Sequence, residues 1–201
     1  MQIVLATKNQ GKLREIQAIM ADTGIDVVTA EELGLGKEVS EDGATFEENA
    51  VKKASEISEL CGRLVVAEDA GLMIDFFGGA PGVYSSRWLG EDTPYEYKNN
   101  VVLGLMEGVP DSERTARYVS VFAAVFPDGR ILTAKGVMEG VIGREAAGDG
   151  GFGYDPIFYL PETGQSVAQM PLDEKNEISH RGKALRLMKE KLLDAVKERG
   201  I

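Results

Sequence analysis

The sequence predicts an α/β fold with a mixed β-sheet and two lobes, on three observations. The N-terminal half alternates short apolar runs with helical periodicities, a long pair of β-rich runs follows, and the chain closes with an amphipathic helix. Gln2 to Ala6 is an apolar run that predicts a strand, and Thr7-Lys8-Asn9-Gln10-Gly11 a polar loop. Leu13, Ile16, Ile19 and Met20 then recur with helical spacing until Gly24. Asp26 to Thr29 predicts a second strand, and Thr45 with Glu48 forms a capping box for a helix that stops at Gly62. Leu64 to Glu68 is a buried strand ending on Glu68-Asp69-Ala70-Gly71, before another apolar run at Leu72 to Ile74. Gly78-Gly79-Ala80-Pro81-Gly82 is a rigid loop, and Thr93-Pro94 supplies the cap and first turn of a helix reaching about Met106. Arg117 to Phe126 and Ile131 to Ile142 are strands joined by the hairpin turn Pro127-Asp128-Gly129-Arg130. Tyr154 to Leu160 predicts a further strand, and Leu185, Met188, Leu192 and Val196 line one face of a last helix closed by Gly200. No repeat or flexible linker interrupts the chain, so residues 1–201 are expected to form one domain whose two lobes are not independent.

Composition narrows the function classes. With 201 residues, 43% apolar and 27% charged, the chain has ordinary globular usage. Its 33 Asp and Glu outnumber 22 Lys and Arg, a formal charge of -11, which repels a phosphate backbone and argues against nucleic-acid polymers and anionic membranes as partners. Cys61 is the single cysteine, so neither an intramolecular disulfide nor a zinc site is expected. No apolar stretch approaches the ~18 residues of a membrane span, and no signal segment opens the chain, so a cytoplasmic location is expected. The charge is unevenly spread. Glu31 to Glu48 carries seven carboxylates against Lys37, whereas Lys175 to Ile201 holds eight basic and four acidic groups.

Four segments could carry chemistry. Thr7 to Lys12 lies between a strand and a helix, where helix-start N–H groups and two lysines suit a di- or triphosphate; on spacing alone an ordinary surface loop is the commoner reading, and the Walker A pattern is missing. Glu68-Asp69 stands at the expected carboxyl end of a buried strand, where adjacent carboxylates need a cation such as Mg²⁺ or hydrogen-bond donors. Neighbouring strand residues point to opposite faces, so only one of the two is expected as a direct ligand. Glu41, Asp42, Glu47 and Glu48 could add another, although acidic runs are usually solvated. Gly150 to Pro156 combines glycines with Phe152 and Tyr154, which either stack on a base or simply pack. Ser179 to Leu185 contains the only histidine, His180, beside Arg181; the pair either caps a helix or offers donors to a carbonyl.

Taken together, Ala6 to Glu15, Thr45 to Ala50 with Lys53, Glu68 to Leu72, Gly78 to Arg87, Gly150 to Phe158 and Ser179 to Leu185 closely resemble the inosine triphosphate pyrophosphatase family, whose bacterial members are the dITP/XTP pyrophosphatases. The resemblance spans essentially the whole chain. It implies an elongated mixed sheet flanked by helices, a cleft between two lobes, a homodimer, and Mg²⁺-dependent hydrolysis of ITP, dITP and XTP to monophosphate and pyrophosphate. By the same resemblance Thr7, Lys8, Asn9, Gln10, Gly11, Lys12 and Lys53 hold the triphosphate, and Ala70 contacts substrate through its backbone. Asp69 is implied as proton acceptor and metal ligand, with Glu41 the second metal carboxylate. Phe152, Gly153, Tyr154, Asp155, Lys175, His180 and Arg181 are implied as the base and sugar pocket. Three positions depart from the family pattern: Lys8 stands where many members have Gly, Glu68 where Asp is common, and Ala70 where Ser is frequent. Rival readings are a nucleotide-binding sensor without turnover and a Maf-type pyrophosphatase for modified pyrimidine nucleotides.

Overall fold

The structure is a computed structural model that describes residues 2–21, 24–35 and 39–197. Among the described residues seven strands form one sheet in the order β2-β1-β3-β4-β5-β6-β7. These are β1 (Gln2–Ala6), β2 (Asp26–Thr29), β3 (Val65–Ile74), β4 (Thr115–Val125), β5 (Ile131–Ile142), β6 (Phe158–Leu160) and β7 (Gln165–Ser166). β1 pairs parallel with β2 and β3, with Val4 opposite Val28 and Val65, whereas β5 with β6 and β6 with β7 are antiparallel. The sheet is therefore mixed, as expected. Helices α1 (Gln10–Met20), α2 (Phe46–Cys61), α3 (Tyr95–Leu105), α4 (Leu172–Ile178) and α5 (His180–Lys197) complete the α/β fold. Among the described residues no helix is long and apolar enough to cross a membrane.

The chain divides into two compact units, one of Met1–Asp69, Ser120–Gly136 and His180–Ile201, the other of Ala70–Val119 and Val137–Ser179. In the first unit, Ile3 and Leu5 of β1, Val66 of β3 and Phe122 of β4 form a core with Ile16 and Met20 of α1 and Leu185, Met188 and Leu192 of α5. Each large side chain buried there contributes about 1.5–3 kcal/mol. The helical spacing read from the sequence explains the α5 stripe, although the Val196 side chain and Gly200 lie outside the described residues. Gly136 lets α5 approach β5, because a Cβ there would lie 2.1 Å from the His180 carbonyl oxygen. The turn after β4 forms as expected, with Phe126 N–H donating to the Arg130 carbonyl at 2.9 Å.

In the second unit, Leu72, Ile74, Val102, Met106, Ile142, Ile157 and Phe158 form a separate core. Arg114 is buried there and donates to the carbonyls of Ile142 and Met106, both at 2.7 Å, and of Gly143.

Three expectations need correction. β3 does not end at Glu68 but runs unbroken to Ile74, because the polar side chains inside it find partners and so do not force the chain out of the strand. Thr93 does not cap α3: Pro94 holds that position, and the Thr93 hydroxyl donates to the Leu89 carbonyl at 2.7 Å. Tyr154 to Leu160 is a strand only from Phe158, since Asp155–Ile157 makes a 3-10 turn with Pro156 inside it. The short elements α4 and β7 carry too few residues for a periodicity to show.

Candidate functional site

In the first unit the polar loop after β1 is organised by its own side chains. Asn9 caps α1, its Oδ1 accepting from Gly11 N–H at 2.9 Å and Lys12 N–H at 3.1 Å, while Thr7 Oγ1 accepts from Asn9 N–H at 3.2 Å. Two of the helix-start N–H groups expected to bind phosphate are thus taken up by the cap. What the loop offers an anion is side-chain charge, with Lys8 exposed and Lys12 aimed inward at Glu68. Gln10 begins the helix on its exposed side.

α2 begins with the expected capping box, Thr45 Oγ1 accepting from Glu48 N–H while the Glu48 carboxylate accepts from Thr45 N–H. This places Asn49 and Lys53 one turn apart on the side facing β3. Asn49 uses both ends of its amide: Oδ1 accepts from Gly43 N–H at 2.8 Å, and Nδ2 donates to Asp69 Oδ2 at 2.9 Å. Lys53 donates to the Glu68 carbonyl at 3.2 Å and forms an ion pair with Glu41.

Glu68 and Asp69 are both buried, and their surroundings differ sharply. Glu68 Oε1 accepts from Ser120 Oγ at 2.7 Å and Arg181 Nε at 2.9 Å, and Lys12 Nζ lies 3.4 Å from Oε2. Burial works against its charge, but Arg181, Lys12 and the Ser120 hydroxyl outweigh burial and hold the carboxyl far below its ordinary value. For Asp69 burial wins. Lys12, Asn49 and Lys53 favour its ionised form, Glu41 opposes it, and the carboxyl titrates above its ordinary value. Arg181 pairs with Glu15 as well as Glu68; burial opposes its charge, and the two carboxylates more than offset that, raising its pKa. His180, beside it at the start of α5, is buried.

The second unit gathers the glycine-rich loop around Asp155. Its Oδ2 accepts from Phe152 N–H and from Lys175 Nζ, both at 2.8 Å, and Lys175 Nζ sits 4.9 Å from the centre of the Phe152 ring. Tyr154 is buried edge-on against Tyr95, and its hydroxyl donates to the Ser85 carbonyl at 2.9 Å. Gly153 offers its carbonyl to Asn99 Nδ2 at 3.1 Å. Gly151, at φ +70, has a structural cause of its own: a Cβ there would fall 2.1 Å from Asp155 Oδ2. Ala70, half-buried, opens this unit in mid-strand.

The structure thus brings together Lys12, Lys53, Glu41, Glu68, Asp69 and Arg181 in the first unit, and Phe152, Asp155 and Lys175 in the second. A family model described as the Ham1 family matches residues 3–191. The chain belongs to the Ham1 family. Relatives named dITP/XTP pyrophosphatase include one from Desulforamulus reducens, 50% identical over 92% of each chain, and one from Escherichia coli O157:H7, 44% identical over 98% of each. Among solved structures, a HAM1 protein from Coxiella burnetii is similar with a TM-score of 0.88 and 38% identity, covering 96% of this chain and 99% of that one. The Ham1 protein of Staphylococcus aureus gives 0.87 and 35%, over 97% and 100%.

Sequence reasoning gave Glu15, Asn49 and Ser120 no role. Glu15 was visible in principle, because a carboxylate three residues after Lys12 and adjacent to Ile16 falls on the buried face of α1. Ser120 sits inside an apolar strand and carries no signal.

Proposed function

We propose that this Ham1-family chain is a nucleoside-triphosphate pyrophosphohydrolase that converts the non-standard purine nucleotides ITP, dITP and XTP to monophosphate and pyrophosphate, cleansing the nucleotide pool. The observation that carries this reading is the buried Asp69 carboxylate, held by Asn49 and subject to the field of two lysines and a second carboxylate, Glu41. Among the described residues no group of three or more His, Cys, Asp or Glu is placed to hold a metal. A pair of carboxylates nevertheless fits Mg²⁺, which keeps several waters and takes its remaining oxygens from substrate phosphates. Burial raises Asp69 and the like charge of Glu41 adds to it, so a divalent cation is favoured beside them. Asp69 and Glu41 would hold it, and bound there it would supply positive charge against the phosphate oxygens.

This chain's own groups do the rest. Asp69 accepts the proton of the water that attacks the α-phosphorus. Lys12 and Lys53 bind the phosphates and offset charge developing on the departing pyrophosphate, and Thr7 to Gly11 with Lys8 border the same anion. Phe152 to Asp155, Lys175, His180 and Arg181 hold base and sugar, and Ala70 contributes its backbone. Donors from His180 and Arg181 suit a six-keto purine and leave adenine's amino group facing donors, which penalises ATP. The two units act as lobes of one domain, and the chain works as a cytoplasmic homodimer.

Pyrophosphate release with Mg²⁺ across ITP, XTP, ATP, GTP, dUTP and modified pyrimidine nucleotides tests the reading. Release from ITP and XTP well above ATP is the expected result. Preference for a pyrimidine nucleotide, or tight binding without release, contradicts it.

A further inference from the structure

Glu68 sits next to the residue assigned as base and metal ligand, yet its surroundings are those of a group already neutralised. Its side chain is fully buried, and Oε1 is fixed by two donors, Ser120 Oγ and Arg181 Nε. Arg181 is itself held from the other side by Glu15. Oε1 therefore has no freedom to turn. Oε2 is buried without a hydrogen bond among the described residues, and the charge facing it is the Lys12 ammonium at 3.4 Å. That separation permits Coulomb attraction but is long and poorly aligned for a charge-assisted hydrogen bond. Lys12 is thus drawn toward Glu68 while its N–H donors are not consumed by that contact. Its side chain keeps 17% of its surface exposed.

We infer that Glu68 is a positioning residue: Arg181 and Ser120 lock one carboxylate oxygen so that the other holds the Lys12 ammonium ready for a phosphate of the substrate. One carboxylate then links the cation assigned to the phosphates with the arginine assigned to the base. The inference rests on the proposed triphosphate chemistry for the part Lys12 plays. Glu68 acts through Lys12 and does not bind the metal.

The test is a double-mutant cycle on the full chain, with wild type, Glu68→Gln, Lys12→Ala and the double variant. Calorimetry measures the affinity for inorganic pyrophosphate, and ITP turnover gives KM and kcat. Gln can keep an oxygen on Ser120 and Arg181 while turning an amide NH₂ toward Lys12. Pyrophosphate affinity and KM for ITP should each weaken about tenfold in Glu68→Gln, and the double variant should be no weaker than Lys12→Ala by more than about twofold. Glu68→Asp restores the carboxylate, so it should bind pyrophosphate within about threefold of wild type; it also serves as the folded probe if Glu68→Gln does not fold, because weakening in that variant should vanish in the Lys12→Ala background. Additive losses, unchanged affinity in Glu68→Gln, or a Glu68→Gln defect cured by raising Mg²⁺ would overturn the inference. Wild-type protein that binds pyrophosphate but releases none from ITP would refute the proposed activity and leave the cycle on pyrophosphate to decide the role of Glu68.

Discussion

The two units handle buried charge in opposite ways. In the second, Asp155 and Lys175 form a closed pair at 2.8 Å, each only 4% exposed at the side chain, and the Phe152 N–H also donates to the carboxylate. In the first, burial raises the Asp69 carboxyl and exceeds the help it receives from Lys12, Asn49 and Lys53, with Glu41 adding a smaller push in the same direction. A closed pair gives shape and orientation, which suits the base-holding role proposed for it. An imbalance between burial and the groups that offset it suits the reactivity proposed for Asp69, because a metal ion or a proton can supply what those groups do not.

Perturbing the imbalance should cost activity without stability. Asp69→Asn should lower pyrophosphate release by about a thousandfold or more. Its thermal midpoint should stay level or rise, because the raised carboxyl opposes folding once ionised. Perturbing the closed pair should do the reverse. Asp155→Ala leaves the Lys175 ammonium buried without its counter-charge and should cost about 3 kcal/mol in chemical denaturation. Gly151→Ala strains a left-handed backbone position and drives a methyl toward Asp155, for about 2 kcal/mol, with a weakened ITP preference as a second readout.

Glu68 and Asp69 sharpen the contrast through pH. Glu68, lowered by Arg181 and Lys12 in spite of burial, contributes stability above its ordinary value of 4.5 that is lost as pH falls below it. Asp69 has the opposite sign: its raised carboxyl favours the folded state at pH below its ordinary value of 3.8, and that gain is lost as pH rises through its folded value. Unfolding free energies measured from pH 7 to pH 3 should therefore fall less steeply in Glu68→Gln than in wild type, and more steeply in Asp69→Asn. The smallest effect belongs to a position with no part in chemistry: Thr45→Ala removes the α2 cap and should cost about 1 kcal/mol.

The same contrast governs what could be read in the sequence. Local patterns are visible because the residues that cause them are adjacent. Thr45 and Glu48 foretell the start of α2, Gly62 its end, and the spacing of Leu185, Met188 and Leu192 the buried face of α5. The alternation of Glu68 and Asp69 across a strand was also legible, and the two side chains find different partners, Ser120 for one and Asn49 for the other. Partners distant in sequence were not. Ser120 is 52 residues from Glu68, and Glu15 is 166 from Arg181, so neither network has a local signature. β3 was cut short for the same reason: a pair of acids reads as a strand end until the arginine that pairs with one and the asparagine that hydrogen-bonds the other are placed. The glycines around Phe152 were read as room for a ligand, and for Gly151 the room is taken by Asp155.

The most direct test of the central claim is initial-rate pyrophosphate release from ITP and from ATP with Mg²⁺, by wild type and by Asp69→Asn. Release from ITP far above ATP, abolished in Asp69→Asn with its fold intact by thermal melting, is the predicted result. Equal release from the two nucleotides, or an active Asp69→Asn enzyme, would contradict it.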